Sequence, residues 1–295
     1  MNLSARRRAP SFEAYENRIA PKVQRGVVVL LVLAVAVLWL LPVWAAVMAS
    51  MKDSADFAQS NPLALPTSWH LDNFLMFFGP VDILGKIRNS LFISGGAVLL
   101  SLTLAFPLAY SLAIGRHKLR RVVITVCVLI FLMPLEAIAF PTYLLAKMLG
   151  MYGNPGFVLV PLGIIGTAFA TFLLTNVMSH VPRELVDAAH VDGASRWQTM
   201  TRVALPLMTP TLLTVGLLLF VMNWNEYLIT LLLLPDTETQ TVPLAISAVN
   251  YGQFGGAPPQ LLAAAGVLGA LPSLLIFFVF QGTLVRGITA GAVQG

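Results

Sequence analysis

The stretch Val181-Pro-Arg-Glu-Leu-Val-Asp-Ala-Ala-His-Val-Asp-Gly-Ala-Ser-Arg-Trp-Gln-Thr-Met-Thr-Arg-Val-Ala-Leu-Pro206 separates two long apolar runs. It is too polar to cross a bilayer, and its residue choices are too ordered for a minimal turn. Pro182 suits the first turn of a helix, and Glu184 and Asp187 lie near the positive end of that helix's dipole. Gly193 can adopt a positive φ and stop the helix. Ser195 can cap a second short helix running through Trp197 toward Val203, before Pro206 opens the next span. The spacing predicts a helix–Gly–helix element, small enough at Ala188, Ala189 and Ala194 to seat in a groove.

The flanking runs, residues 157–178 and 207–234, are two of six such stretches; the others are 27–49, 89–115, 122–146 and 261–285. Each is long enough to cross a bilayer core about 30 Å thick, which takes about 20 apolar helical residues. Composition agrees: of 295 residues, 57% are hydrophobic and 11% charged, with a mean hydropathy of +0.81. So few charges cannot coat a globular surface of this size, which excludes a soluble enzyme, a disordered chain and a disulfide-stapled secreted domain. No ten-residue alternation of a transmembrane β-barrel is visible. The predicted class is an all-α integral membrane protein with six transmembrane helices. Pro107, Pro134, Pro141, Pro161 and Pro272 fall inside the spans and predict kinks, with the freed carbonyls satisfied by neighbouring helices.

Orientation follows from Lys and Arg near the span ends. Most of the eighteen lie on one side: Arg6, Arg7, Arg8, Arg18, Lys22 and Arg25 before the first span, and Arg116, Lys118, Arg120 and Arg121 in the second connection. Arg183, Arg196 and Arg202 follow in the fourth connection, and Arg286 in the tail. Lys52, Lys86, Arg88 and Lys147 lie on the other. Both termini are therefore expected in the cytoplasm of a bacterial cell, in a multi-pass inner-membrane protein. The net charge of +5 is then membrane topology rather than nucleic-acid affinity. The first span is too long, after too long a polar arm, for a cleaved signal peptide.

Residues 1–26 read as a cytoplasmic arm, 27–285 as the six-helix domain with its core at about 85–285 and the cytoplasmic loop at 179–206, and 286–295 as a cytoplasmic tail. The connection 50–88 is external, with Trp69, Phe74, Phe77 and Phe78 suited to the membrane interface. A second external loop, 235–260, is rich in Pro and Gly. Small residues recur four apart at Ser90/Ser94, Ala105/Ala109/Ala113, Gly166/Ala170 and Ala265/Gly269, a spacing that lets helices approach closely in lipid. Cys127 sits in an apolar run. His70, His117, His180 and His190 are scattered without metal-ligand spacing.

Asp187-Ala188-Ala189, three residues, Gly193, nine residues, then Val203-Ala204-Leu205-Pro206 resembles the Glu-Ala-Ala loop of binding-protein-dependent ABC importer permeases. The family pattern has Glu where this chain has Asp187 and Ile where it has Val203. Trp224-Asn225-Glu226-Tyr227 and the tail from Gln281 to Gly295 look like the carbohydrate-uptake branch, and the likeness is to the shorter, six-span maltose-type subunit. Asn89-Ser90 and Pro134-Leu-Glu-Ala137 also fit. The resemblance implies the ABC type I importer permease fold and a non-enzymatic subunit forming half of a translocation pathway for a sugar, polyol or sugar phosphate.

No Gly-x-x-x-x-Gly-Lys-[Ser/Thr] motif is present: Gly85-Lys86 is followed by Ile87, and position 80 is Pro. The resemblance places ATP and Mg on a partner: two copies of a cytoplasmic ABC ATPase, docked through Glu184, Asp187, Ala188, Ala189, Asp192, Gly193, Ala194, Leu205 and Pro206. It adds a second homologous permease subunit and an extracytoplasmic solute-binding protein. No cofactor or metal is expected on this chain. Glu136, Trp224, Asn225, Glu226 and Tyr227 are the candidates for the translocation pathway, with Trp224 and Tyr227 able either to stack on a sugar or simply to pack. Arg286 and residues 289–295 are expected to enter the ATPase interface, or to anchor the last span and fray. Two alternatives stay open. One is an ion-gradient-driven secondary transporter using Glu136 and Glu226, since intramembrane acids are functional candidates by default. The other is an ABC permease for a non-sugar solute.

Overall fold

The computed structural model describes residues 22–79, 81–115, 118–250 and 257–292, with side chains from 25 to 282. Among them there is no strand. The helices are α1 (Lys22–Ser50), α2 (Ser54–Gln59), α3 (Asp72–Phe78), α4 (Ile83–Ile114), α5 (Arg120–Leu132), α6 (Leu135–Met148), α7 (Pro155–Met178), α8 (Arg183–Val191), α9 (Arg196–Thr199), α10 (Leu205–Trp224), α11 (Leu228–Leu233), α12 (Val242–Asn250) and α13 (Pro259–Ala292). Five helices are long and apolar enough to cross a membrane, and α5 with α6 makes a sixth span bent by 88°. The break lies at Met133–Pro134. Pro134 cannot donate a backbone N–H and disfavours a helical residue before it, and Met133 is extended at ψ 126°.

The bundle is centred on α4 and α7, and the small-residue spacing explains why. Ala105, Ala109 and Ala170 are fully buried, and Ser101 Oγ donates to the Gly163 carbonyl at 2.9 Å, a bond that requires close helices. A Cβ at Gly166 would collide with Ser101 Oγ and press on Leu219, whereas one at Gly95 meets nothing within 4 Å. Gly166→Val is expected to destabilise the folded bundle by about 2–3 kcal/mol through overpacking. Thermal unfolding in detergent checks it, with Gly95→Ala as the control that leaves the midpoint in place.

Four departures from the sequence expectations have physical causes. The fifth span, expected as continuous over 207–234, begins at Arg196 and breaks at Asn225, with α11 as a separate turn and a half. Its start is continuous because a π-turn at Met200–Ala204 carries α9 into α10, the Leu205 N–H bonding back to the Met200 carbonyl. That wider turn makes room for Pro206, whose ring would clash in a regular α-turn. Phe77, expected at the membrane interface, is fully buried against α4, α12 and α13 in a cluster with Trp224 and Val249. The external loop 235–260 contains helix α12. Residues 1–21 of the arm lie outside the described residues, and the helix of the first span already starts at Lys22. The α13 backbone is helical to Ala292, while the side chain of Arg286 and residues 293–295 fall outside the described part.

Candidate functional site

The loop between the fourth and fifth spans is a rigid two-helix element. Pro182 precedes α8 in extended conformation, and Glu184 occupies the first turn. Gly193 has φ +80°, and the chain closes there with two bonds: Gly193 N–H to the His190 carbonyl at 3.1 Å and Ala194 N–H to the Ala189 carbonyl at 2.9 Å. That pair is the Schellman arrangement, in which the residue after the cap must be left-handed. Ser195 then starts α9 with a reciprocal capping box. Gln198 N–H donates to Ser195 Oγ at 3.3 Å, and Ser195 N–H donates to Gln198 Oε1 at 2.8 Å. Back-to-back caps leave no slack between α8 and α9.

Val186 is buried and pins α8 to the bundle. Glu184, Asp187, Ala188, Asp192 and Gly193 are exposed, Ala189 and Ala194 half-buried, and Leu205 and Pro206 exposed on α10. Val191 is 87% exposed and Trp197 68% exposed. Val191 lies on a polar helix outside the spans, and Trp197 in the first turn of the fifth span. Behind the two-helix element, Tyr110, His190, Arg196, Trp197 and Met200 line a cavity of about 530 Å³. Arg120 Nη2 donates to Ser179 Oγ at 2.7 Å and ties the second connection to the end of α7.

The candidates at 224–227 part company. Trp224 is 2% exposed; its Nε1–H donates to the Gly269 carbonyl at 3.2 Å and its ring stacks on Phe220. Trp224, Asn225 and Tyr227 all line a cavity of about 570 Å³ with Ser247 and Ser273, and Ser247 Oγ donates to Tyr227 Oη at 3.1 Å. This volume falls in the range of small-molecule sites. Glu226 is buried, and its carboxylate caps α11, accepting Ile229 N–H at 2.6 Å and Thr230 N–H at 3.1 Å. Glu136 is exposed in the first turn of α6.

Three residues that sequence reasoning passed over, or noted only as part of a motif, hold the segment 237–242 against α4. Along one face of α4, Lys86 Nζ donates to the Thr237 carbonyl, and Asn89 Nδ2 donates to the carbonyls of Glu238 at 2.7 Å and Gln240 at 3.1 Å. Ser90 Oγ accepts Val242 N–H at 2.8 Å. Positions i, i+3 and i+4 share a helix face, so the pattern was visible, but its partners lie some 150 residues away. Asn89→Ala is expected to loosen 237–242 by about 1–3 kcal/mol. Hydrogen–deuterium exchange should show the Gln240 to Val242 amides exchanging faster, with α7 amides unchanged.

An all-helical bundle of six apolar spans, two of them broken, with a capped two-helix element on its Arg-rich side, is the build of a membrane transport permease. The chain belongs to the family described as the binding-protein-dependent transport system inner membrane component, whose model matches residues 105–290. It is 31% identical over 260 residues to the diacetylchitobiose uptake system permease protein DasC of Streptomyces coelicolor, covering 86% of this chain and 91% of that one. It is 31% identical over 217 residues to the lactose transport system permease protein LacG of Rhizobium radiobacter, covering 74% and 78%. Among solved structures it matches a chain of a bacterial ABC transporter that imports the acidic polysaccharide alginate, with TM-score 0.74, 23% identity, and 90% and 98% of the two chains covered. The protein is thus a carbohydrate-uptake ABC permease subunit with the fold of an ABC importer permease.

Proposed function

We propose that this chain forms half of the translocation pathway of an ATP-driven importer and is moved by a separate ATPase through residues 182–206. The observation that carries this is the two-helix element, stiffened by a Schellman closure at Gly193 and a capping box at Ser195, with Val191 and Trp197 exposed. A stiff element transmits displacement to α10 without absorbing it, and the π-turn makes α9 and α10 one rod. Closure of an ATPase dimer would push α8 and rock the bundle between outward- and inward-facing states. Glu184, Asp187, Ala188, Ala189, Asp192, Gly193 and Ala194 make the docking surface, and Leu205 and Pro206 the joint behind it.

The remaining partners follow from membership of the family. ATP and Mg belong to the ATPase, two copies of which engage the two permease chains. A second, homologous permease completes the pore. An extracytoplasmic binding protein delivers the cargo, a sugar or related polyol or sugar phosphate; relatives named for diacetylchitobiose and lactose uptake support the sugar class. Asn225 and Tyr227 contribute to the pathway, with both termini in the cytoplasm.

The test is purification of the assembly in mild detergent with every chain identified, then uptake of lactose and diacetylchitobiose into proteoliposomes. ATP-dependent uptake that survives an uncoupler supports the proposal. Uptake that survives ATP depletion but collapses with an uncoupler rejects it and selects the ion-driven alternative.

A further inference from the structure

Between the end of α4 and the two-helix element lies a cavity lined on one side by Tyr110 and Ser111 and on the other by His190, Arg196 and Trp197. At about 530 Å³ it has the volume of a small-molecule site. It shares no residue with the cavity at Asn225 and Tyr227, which lies among α10, α12 and α13.

The lining is rich in donors and holds no acid. Arg196 offers five N–H groups, and the His190 ring, the Trp197 indole and the Tyr110 and Ser111 hydroxyls each add a donor. Among the described residues none of these side chains has a hydrogen-bond or ion-pair partner. Glu184, Asp187 and Asp192 of the same loop are exposed, and none of them lines the cavity. Tyr110 is the most telling member. It is only 9% exposed, yet its hydroxyl, unlike Thr171 Oγ1 and Thr175 Oγ1, keeps surface that water can reach. A buried phenol ordinarily finds an acceptor. Here the cavity is where an acceptor can sit.

We infer that this cavity binds a phosphate-bearing anion, with the Arg196 guanidinium and the His190 ring on its phosphoryl oxygens and the Tyr110 hydroxyl donating to one of them. A lining of unpartnered donors without a carboxylate favours an anion over a neutral sugar, and the planar Arg fork suits a phosphoryl group. The Trp197 ring offers a face to whatever carries the phosphate. Two sources present this chemistry: a soluble sugar phosphate and the headgroup of an anionic phospholipid. The walls belong to α4 on one side and to α8 and α9 on the other, so an occupant ties the two-helix element to the bundle. The consequence, which rests on the proposed coupling to an ATPase, is that occupancy slows ATP-driven uptake.

The experiment uses the complete assembly and compares wild type with Arg196→Gln and Tyr110→Phe. Neither side chain has a partner to lose within the described chain, so the unfolding midpoints without ligand are expected to hold. One arm titrates glucose 6-phosphate into phosphatidylcholine nanodiscs by calorimetry, with the ATPase sites already filled by ADP and Mg. The other follows retention of phosphatidylglycerol against phosphatidylcholine by native mass spectrometry. Each variant is expected to weaken binding by about tenfold or more, the factor of one hydrogen bond to a charged group. That loss in the first arm upholds the site with a soluble phosphomonoester, and in the second with a lipid headgroup. Binding that both variants leave at wild-type strength in both arms, or no binding in either, overturns the site. Glucose 6-phosphate on the ATP side of proteoliposomes is expected to slow wild-type uptake and to leave Tyr110→Phe unaffected. Binding without slowing overturns the tie to the two-helix element. An assembly that binds the probe but shows no ATP-driven uptake counts against the transport proposal and upholds the site.

Discussion

Replacing Gly193 with Pro abolishes coupled uptake while the protein still reaches the membrane. The left-handed backbone at Gly193, φ +80°, lies far outside what a proline ring permits, since the ring locks φ near −65°. The Schellman closure then cannot form, and the Gly193 N–H to His190 bond is lost outright because proline has no donor. The span contacts of α4, α7 and α10 lie elsewhere and remain, so loss of uptake with normal membrane yield points at the lever rather than the bundle. Gly193→Ala grades the effect. No atom lies within 4 Å of the added Cβ, so the cost is conformational alone, about 1–2 kcal/mol for an L residue in that region. A penalty of that size is a factor of roughly 5–30 in the population of the coupled geometry. The check is uptake and ATP hydrolysis measured together in proteoliposomes. Hydrolysis persisting while uptake fails is the expected signature, and wild-type uptake by the Pro variant contradicts the lever.

How much of this was legible beforehand depended on whether the cause was local. The helix stop at Gly193 and the cap at Ser195 are short-range devices and were readable, but the far end of the lever was not: the second helix, expected to end near Val203 before Pro206, runs through a π-turn into the fifth span. The spans follow from hydropathy alone, and the tight approach of α4 and α7 from small residues four apart. The break at Pro134 was readable as a kink, but not its size of 88°, nor that α6 beyond it lies against α11, about 90 residues further along the chain. The burial of Phe77 was not readable, because an aromatic near a span end suits an interface equally well until α12 and α13 are seen to cover it. The external loop hid α12 because its flanking Pro and Gly residues advertise turns.

Glu226 is where sequence logic and structure pull hardest against each other. An acid inside an apolar run reads as a proton carrier or as pathway lining. Its carboxylate instead closes the N-terminus of α11, meeting two amides that nothing else satisfies. Two substitutions separate the roles. Glu226→Ala strands both amides in a buried site and is expected to cost roughly 2–6 kcal/mol, at about 1–3 kcal/mol for each buried donor left unmade. The loss should appear as a lower unfolding midpoint in detergent and faster amide exchange over Leu228–Leu233. Glu226→Gln keeps the shape and one acceptor oxygen but cannot titrate. A capping role predicts that the Gln variant folds and sustains most of the ATP-driven uptake, with the same insensitivity to an uncoupler as wild type. A proton-carrying role predicts that it folds and transports nothing. Because Gln removes the charge and one of the two accepting oxygens while Ala removes both acceptors, the pair assigns the residue even if each alone lowers uptake: a large loss of stability with Ala and a smaller one with Gln follows from the cap, whatever the cargo.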